Sequence, residues 1–210
     1  MYPIKRHEKR WMDKAKLQIH KLCQQSAQQI LNEFRPDYMI AIAGGGYIPA
    51  RILRTFLKRP GAKNIPIQAI GLVLYEDHCS GSGEVAGKEV VRTQWLDFST
   101  LSPEGLIGKR ILIVDEVDDS RRTLHYAVTE LGKDISAQAE KMGREEETVF
   151  GVFVVHNKDK EKVCELPGEV MQSRYWAGET TGDQWICYPW EATDIDDHEG
   201  LATAQENIAG

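Results

Sequence analysis

A chain of 210 residues, of which 41% are hydrophobic, can bury a sizeable core and favours one domain with a small accessory element. Its net charge of −6 provides no broad positive field, so we expect no nucleic-acid partner. The four cysteines are far apart without a zinc-binding spacing, and no apolar run reaches membrane-spanning length, so we expect a cytoplasmic protein with reduced thiols and no membrane contact.

Helical and strand-like patterns alternate along the chain. Apolar residues at three- and four-residue intervals predict helices over residues 11–34, 48–57 and 122–142. Short apolar runs predict strands over residues 38–43, 65–74, 90–95, 109–114 and 148–155. This alternation predicts an α/β fold with a central, mainly parallel sheet flanked by helices. Between two of the strands, the polar and glycine-rich residues 76–90 predict a mobile loop, and the chain ends in an acidic, weakly patterned tail.

A buried strand of the predicted sheet leads directly into two acids, Asp115 and Glu116. Ligands bind open α/β sheets at the carboxyl ends of the strands, so we expect both carboxylates at a binding edge. The following turn, from Asp119 to Thr123, opens a helix whose free N–H groups and dipole favour a phosphate. Carboxylates for ribose hydroxyls beside an anion-binding turn suit a ribose 5-phosphate. Simple helix capping by Asp119 or Ser120 would leave the other acids unexplained.

Three glycines, Gly44 to Gly46, follow the first strand of the predicted sheet. Because they carry no side chains, a backbone can approach an anion closely there. The loop lacks the Gly-Lys-Ser/Thr of a Walker loop, and Pro49 stands where a dinucleotide-binding fingerprint has its third glycine. On these residues alone, a tight turn and an anion site stay equally open.

Aromatic residues are concentrated between Asp183 and Glu191, in the sequence DQWICYPWE. The indole of Trp185 offers a flat face on which a base can stack, although aromatic side chains more often belong to a core. Upstream, His156 and Lys158 follow a predicted strand, and either is a candidate hydrogen-bond donor to a ligand or a solvated turn residue. Together with one of these donors, the aromatic segment is a candidate base-binding site.

The segment ILIVDEVDDSRRTL resembles the signature of type I phosphoribosyltransferases that binds phosphoribosyl pyrophosphate (PRPP): four apolar residues, two acids, then Asp-Thr/Ser-Gly-x-Thr. Residues 183–191 are similar to the purine-binding segment of xanthine-guanine members, Asp-x-Trp-Ile-x-x-Pro-Trp-acid. From about Ile40 to Glu191 the pattern is most similar to fungal xanthine and hypoxanthine-guanine enzymes, in phrases such as GGGYIPARILRTFLK and VRTQWLDF. The resemblance implies purine salvage, in which the 5-phosphoribosyl group of PRPP is transferred to N9 of a 6-oxopurine and pyrophosphate is released.

The resemblance also implies which residues bind PRPP. They are Gly44, Gly45, Arg92, Asp115, Glu116, Asp119, Ser120, Arg121, Arg122 and Thr123. Asp119 is in addition the implied catalytic acid or base at purine N7. Mg²⁺ is the implied cofactor, and Asp115 and Glu116 would hold it through PRPP or water.

The purine contacts implied by the resemblance lie in the last third of the chain. Trp185 would stack on the base, the backbone of Ile186 would contact its edge, and Lys158 would bond to O6, with His156 as the alternative to Lys158. The implied regions are an N-terminal helical region (1–36) packing on core or hood, a phosphoribosyltransferase core (37–160) with its flexible loop (76–90), and a purine-binding hood with an acidic tail (161–210). We also expect a homodimer or a higher homo-oligomer.

The sequence departs from the family pattern at two places. Arg121 stands where the signature usually has glycine, so a positive φ would strain it, and the basic residue that many members place before the two glycines is absent. A non-catalytic regulator that senses PRPP with the same fold is the alternative, and it predicts a DNA-binding module or a basic face. The tryptophan-rich C-terminal segment argues against an orotate or adenine enzyme.

Overall fold

Six strands form the main sheet in the part of the chain that the computed structural model describes, residues 11–75, 89–98 and 105–209. The described strands are β1 (Trp11–Asp13), β2 (Tyr38–Ala43), β3 (Ile67–Tyr75), β4 (Glu89–Gln94), β5 (Arg110–Asp118), β6 (Val149–Lys158), β7 (Tyr175–Thr181) and β8 (Trp185–Cys187). The described helices are α1 (Lys16–Glu33), α2 (Tyr47–Leu57), α3 (Arg122–Met142), α4 (Gly168–Ser173) and α5 (Ile195–Ala209). The main sheet has the order β4-β3-β2-β5-β6-β7, and its neighbours are parallel except for β3 and β4. The predicted α/β fold is confirmed.

Strand β5 lies in the middle of the main sheet and is buried on both faces. Ile111 and Ile113 pack with side chains of α3, whereas Leu112 and Val114 pack with side chains of α1 and α2. Helices on both faces explain why the apolar run in β5 is continuous rather than alternating. The chain leaves β2 toward β3 and leaves β5 toward β6, so a crevice opens between the carboxyl ends of the neighbouring strands β2 and β5.

Strands β5 and β6 continue past the ends predicted from their apolar runs, which were Val114 and Val155. Parallel pairing holds Asp115 opposite Val154 and Asp118 opposite Asn157. The ladder is made by backbone groups, so polar side chains do not end it. The predicted ends were therefore too early, and the acidic residues belong to the strand itself.

Both ends of the described chain differ from the predicted pattern. The helix predicted over residues 11–34 begins only at Lys16, because residues 11–13 pair in parallel with β8. The tail, expected to be weakly patterned, contains α5, which packs against β1 and buries Ala202. Strand β7, from the region expected to form the hood, pairs with β6 in the main sheet. Such pairings join distant parts of the chain, and local periodicity does not reveal them.

The loop predicted over residues 76–90 lies largely outside the described residues, which resume at Glu89. Strand β4 runs antiparallel to β3, with Glu89 opposite Tyr75, so this segment connects two adjacent strand ends. Within the described ranges, no helix combines the length and the apolar composition needed to cross a membrane.

Candidate active site

A cavity of about 250 Å³ lies at the crevice between the carboxyl ends of β2 and β5. Its lining comes from β2, β3, the end of β5, the turn after β5 and the first residues of α3. The lining residues are Ile42, Ala43, Leu72, Asp115, Glu116, Val117, Asp118, Asp119, Ser120, Arg121, Thr123 and Leu124. The predicted acidic strand end and the predicted phosphate turn thus share one cavity.

Two carboxylates, those of Asp115 and Glu116, lie side by side at this cavity. Asp115 is 7% exposed, and its Oδ1 accepts the backbone N–H of Glu116 at 2.9 Å. Burial, and next the negative charge of Glu116, raise the pKa of Asp115 well above its usual range. Among the described residues, no hydrogen-bond partner reaches the buried Oε2 of Glu116. The Oε2 of Glu116 could therefore accept a hydroxyl donor or bind a metal ion.

The glycine loop lies directly against one of these acids. A Cβ atom on Gly45 would overlap the carboxylate of Glu116, and one on Gly46 would lie 2.5 Å from the carbonyl oxygen of Val114. A side chain at Gly46 would clash with the backbone of β2 and β5, and one at Gly45 would push the Glu116 carboxylate aside, so the close approach of loop and carboxylate requires glycine. The predicted pyrophosphate loop and the predicted ribose acids are therefore neighbours in the structure.

The turn after β5 contains Arg121 in the left-handed region, with φ of 67° and ψ of 1°. Its Nη2 lies 2.9 Å from Oδ2 of Asp118, an oxygen that also accepts the Tyr175 hydroxyl at 2.7 Å. The guanidinium carbon lies 5.3 Å from the centre of the Tyr175 ring. Arg121 is 8% exposed and Asp118 is 1% exposed, so the ion pair is buried. The side chain of Arg121 is thus engaged within the protein, which leaves its backbone amide for a ligand.

Charged residues from three segments meet beside the cavity. The Nζ of Lys158, at the end of β6, lies 3.5 Å from Oδ2 of Asp119 and 5.8 Å from the centre of the Trp185 ring. The Nζ of Lys160 lies 2.5 Å from Oδ1 of Asp119 and 3.0 Å from Oδ1 of Asp183. Trp185 remains 44% exposed. The structure therefore brings Asp119, Lys158 and Trp185 together.

The charge state of Asp119 follows from this cluster. Burial raises its pKa, but the hydrogen bond from Lys160 and the charges of Lys158 and Lys160 outweigh burial and lower the pKa below the usual range. Asp119 is thus a carboxylate at neutral pH, able to accept a proton or a hydrogen bond. The sequence interpretation assigned no role to Lys160 or Asp183, whose pairing joins residues 23 positions apart and has no local signal.

His156, the alternative to Lys158, is fully buried. Its Nδ1 lies 2.9 Å from the Tyr188 hydroxyl, which donates to the backbone carbonyl of Glu116 at 3.0 Å. Burial lowers the pKa of His156, which favours the neutral ring. Of the two candidate donors, only Lys158 lies beside Trp185, whereas His156 and Tyr188 support the end of β5 from behind.

Arg92 does not line the cavity described above. Its Nη2 lies 2.5 Å from Oε2 of Glu130, its Nε donates to the Tyr126 hydroxyl at 3.0 Å, and its guanidinium carbon lies 4.0 Å from the centre of the Trp95 ring. These contacts fasten β4 to α3 and neutralise the cation. The position of Arg92 in the motif does not show that its guanidinium pairs with acids of α3.

The remaining predicted residues divide between backbone and side-chain contacts. Ile186 is 6% exposed and pairs with Met12, so only its backbone is available to a ligand. Ser120 and Thr123 line the cavity, and Arg122 is the first residue of α3. These residues therefore stay candidate ligand contacts, whereas Arg92 lies outside the cavity.

The chain was also compared with models of known protein families. A family model described as a phosphoribosyl transferase domain matches residues 14–155. The chain belongs to the phosphoribosyltransferase family. The predicted family membership is thereby confirmed.

Named phosphoribosyltransferases are similar over nearly the whole chain. A hypoxanthine-guanine phosphoribosyltransferase of Schizosaccharomyces pombe is 62% identical over 183 residues, which cover 86% of this chain and 89% of that protein. Xanthine phosphoribosyltransferase 1 of Saccharomyces cerevisiae is 60% identical over 194 residues, which cover 89% of this chain and 92% of that protein. The chain is therefore similar to purine enzymes within the family.

Solved structures of similar fold include a hypothetical protein of Neisseria gonorrhoeae with bound ppGpp. It is 38% identical, with a TM-score of 0.73, and the match covers 95% of this chain and 99% of that one. A purine phosphoribosyltransferase of Pyrococcus horikoshii has a TM-score of 0.60 at 23% identity, covering 88% of this chain and 97% of that one, and supports the fold alone.

Proposed function

We propose that this phosphoribosyltransferase transfers the 5-phosphoribosyl group from PRPP to N9 of a 6-oxopurine and releases pyrophosphate. The observation that carries this proposal is the position of Asp119, which lines the phosphoribosyl cavity and also contacts Lys158 of the base side. The names of the similar fungal proteins, which specify hypoxanthine, guanine or xanthine, support a 6-oxopurine as the acceptor. The ppGpp of the Neisseria gonorrhoeae relative contains guanine, ribose and diphosphate groups, which agrees with this ligand chemistry.

On the PRPP side, this chain supplies mostly backbone groups and carboxylates. Asp115 and Glu116 would accept the ribose hydroxyls, and the amides and hydroxyls of residues 119–123 would bind the 5′-phosphate at the start of α3. The backbone of Gly44 and Gly45 would bind the pyrophosphate beside Glu116. Arg92 has no part in this proposal, because Glu130 and Asp134 already neutralise it.

On the base side, Lys158 would donate to purine O6 while Trp185 stacks on the ring and the backbone of Ile186 contacts its edge. Positive charge develops on the ribose as the bond to pyrophosphate breaks, and the carboxylates of Asp115, Glu116 and Asp119 would stabilise it. As N9 attacks, Asp119 would accept the proton from N7, since it is held as a carboxylate.

The carboxylate pair at the end of β5 fits a divalent cation. Among the described residues the buried Oε2 of Glu116 has no hydrogen-bond partner, and burial, followed by the charge of Glu116, raises the pKa of Asp115. Asp115 and Glu116 would hold Mg²⁺ through PRPP or water, because both carboxylates line the cavity. When bound, Mg²⁺ would neutralise the pyrophosphate.

The cellular location and the oligomeric state of the enzyme are also part of the proposed function. We propose a cytoplasmic location, which the free thiols of Cys23, Cys164 and Cys187 support. We also propose a homodimer or higher homo-oligomer, without a nucleic-acid or membrane partner.

An assay with purified protein, PRPP and Mg²⁺ tests the function, with xanthine, hypoxanthine, guanine and adenine supplied separately. We expect nucleotide and pyrophosphate in equal amounts with at least one 6-oxopurine, and no reaction with adenine. Binding of PRPP without nucleotide from any base would instead indicate the non-catalytic sensor and contradict the enzyme.

A further inference from the structure

Lys162 lies in the segment after β6, and the proposed reaction assigns no role to its hydrogen bonds. Its side chain is 9% exposed, and its Nζ donates to the backbone carbonyls of Asp118 at 2.7 Å, Asp119 at 3.1 Å and Lys158 at 2.8 Å. Two of these acceptors belong to the end of β5 and the turn, and the third is at the end of β6. One buried ammonium group therefore joins the phosphoribosyl side of the site to the base side.

The next residue continues the same pattern. The backbone N–H of Val163 donates to the carbonyl of Ser120 at 3.1 Å. Three successive carbonyls of the turn, those of residues 118–120, thus point toward residues 162 and 163.

These carbonyls determine where the amides of the turn point. The peptide bonds of residues 118–121 are not cis, and in a planar trans peptide the C=O of one residue and the N–H of the next point in opposite directions. The N–H groups of Asp119, Ser120 and Arg121 therefore point away from Lys162. Residues 118–121 line the cavity and Lys162 does not, so amides that point away from Lys162 can reach a ligand in the cavity.

We propose that Lys162 is a positioning residue for PRPP, which orients the amides of the turn toward the 5′-phosphate and fixes Lys158 relative to Asp119. The proposal rests on the proposed function, because it deepens the role of the same site. The lysine acts through the backbone and does not touch the substrate.

The chemistry of these contacts requires an ammonium group. Three carbonyl oxygens converge on one point, and an ammonium has three donors that can satisfy them at once. A side chain without donors would leave buried carbonyls unpaired, and the turn would rotate to regain hydrogen bonds. The carboxylate of Asp118, whose Oδ1 lies 3.7 Å from Nζ, provides the countercharge. Loss of the ammonium should thus affect the turn more than the glycine loop.

Calorimetric titration of the full-length protein with magnesium PRPP and with magnesium pyrophosphate tests this role. Pyrophosphate lacks the ribose 5-phosphate, so it reports on the glycine loop without the turn. In Lys162→Met we expect the Kd for PRPP to rise about tenfold or more, whereas the Kd for pyrophosphate stays unchanged within error. Lys162→Gln keeps an NH₂ group with two donors, so the Kd for PRPP should rise less. If Lys162→Met does not fold, the two Kd values are compared in Lys162→Gln instead.

Lys14→Met is the matched control, because Lys14 is equally buried at 8% and bonds to Glu179 at 2.7 Å, away from the turn. We expect it to lower Tm and to leave both affinities unchanged. Unchanged PRPP affinity in Lys162→Met, an equal loss of both ligands, or the same PRPP defect in Lys14→Met would overturn the inference. Failure of the wild-type protein to bind PRPP at all would instead contradict the proposed function, on which this inference depends.

Discussion

Arg121 occupies a left-handed backbone conformation that glycine would adopt without strain, yet its side chain makes a buried ion pair with Asp118. For a residue with a Cβ atom, this conformation costs roughly 1–2 kcal/mol. Breaking a buried ion pair by removing one partner costs about 3–5 kcal/mol, because the other charge stays buried. The ion pair therefore outweighs the strain, which explains how arginine is tolerated in the turn.

Arg121→Gly should accordingly lower the free energy of unfolding by about 1–3 kcal/mol, measured by urea denaturation. The matched control is Arg35→Gly, because Arg35 also has a positive φ, of 54°, but is exposed. That substitution relieves strain without leaving a buried carboxylate, so it should be neutral or stabilising. An Arg121→Gly variant as stable as the wild-type protein would show that the ion pair does not outweigh the backbone strain.

At the scale of elements, the small sheet of β1 and β8 holds Trp185 next to Lys158. Within this segment the tryptophans and the tyrosine have different surroundings. Trp185 is 44% exposed beside Lys158, whereas Tyr188 is buried, stacks on Trp190 at 4.6 Å and donates to the backbone of Glu116. The first part of the segment is thus partly exposed to solvent, and the second part packs against the end of β5.

Trp185→Ala should raise KM for the purine about tenfold or more, because base stacking contributes roughly 1–3 kcal/mol. Steady-state kinetics at saturating PRPP would measure this change, and the Kd for PRPP should stay near its wild-type value. An unchanged KM for the purine would remove Trp185 from the base site.

The order of strand, acidic end, phosphate turn and helix could be predicted from the sequence, because these elements are contiguous and their signals are local. The residue at which β5 ends could not be predicted, since Asp115 to Asp118 continue the strand only through their pairing with β6. The hydrogen bond of Arg92 to Tyr126 and those of Lys162 to Asp118 and Asp119 could not be predicted for the same reason, because they join residues 34 or more positions apart. Local sequence patterns thus predicted candidate site residues but not the long-range contacts that orient them.

At the scale of the whole molecule, buried charges link stability to pH with opposite signs. Contacts with His156 and with Lys14 hold the pKa of Glu179 at about 2, from an ordinary value of 4.5, although burial acts against them. A depressed pKa contributes stability that is present above the unfolded pKa and is lost as the pH falls through the folded pKa. Asp115 acts in the opposite direction, because its raised pKa favours folding as its carboxylate gains a proton.

Acid should therefore destabilise the protein through Glu179 as the pH falls from about 4.5 toward about 2. Melting curves of the wild-type protein and Glu179→Gln across this range would isolate this contribution, since Asp115 is common to both. The difference in Tm between the two proteins should shrink as the pH falls. A difference that does not depend on pH would show that the Glu179 carboxylate has no part in acid stability.

The central claim is that the phosphoribosyl site and the base site meet at Asp119, and the turnover of Asp119→Asn tests it most directly. The measurement is kcat at saturating PRPP and 6-oxopurine, together with the Kd for PRPP. General acid–base catalysis typically contributes 10²–10⁴-fold, so we predict a loss of kcat of about a hundredfold or more with PRPP affinity largely retained. Wild-type turnover in Asp119→Asn would contradict the claim.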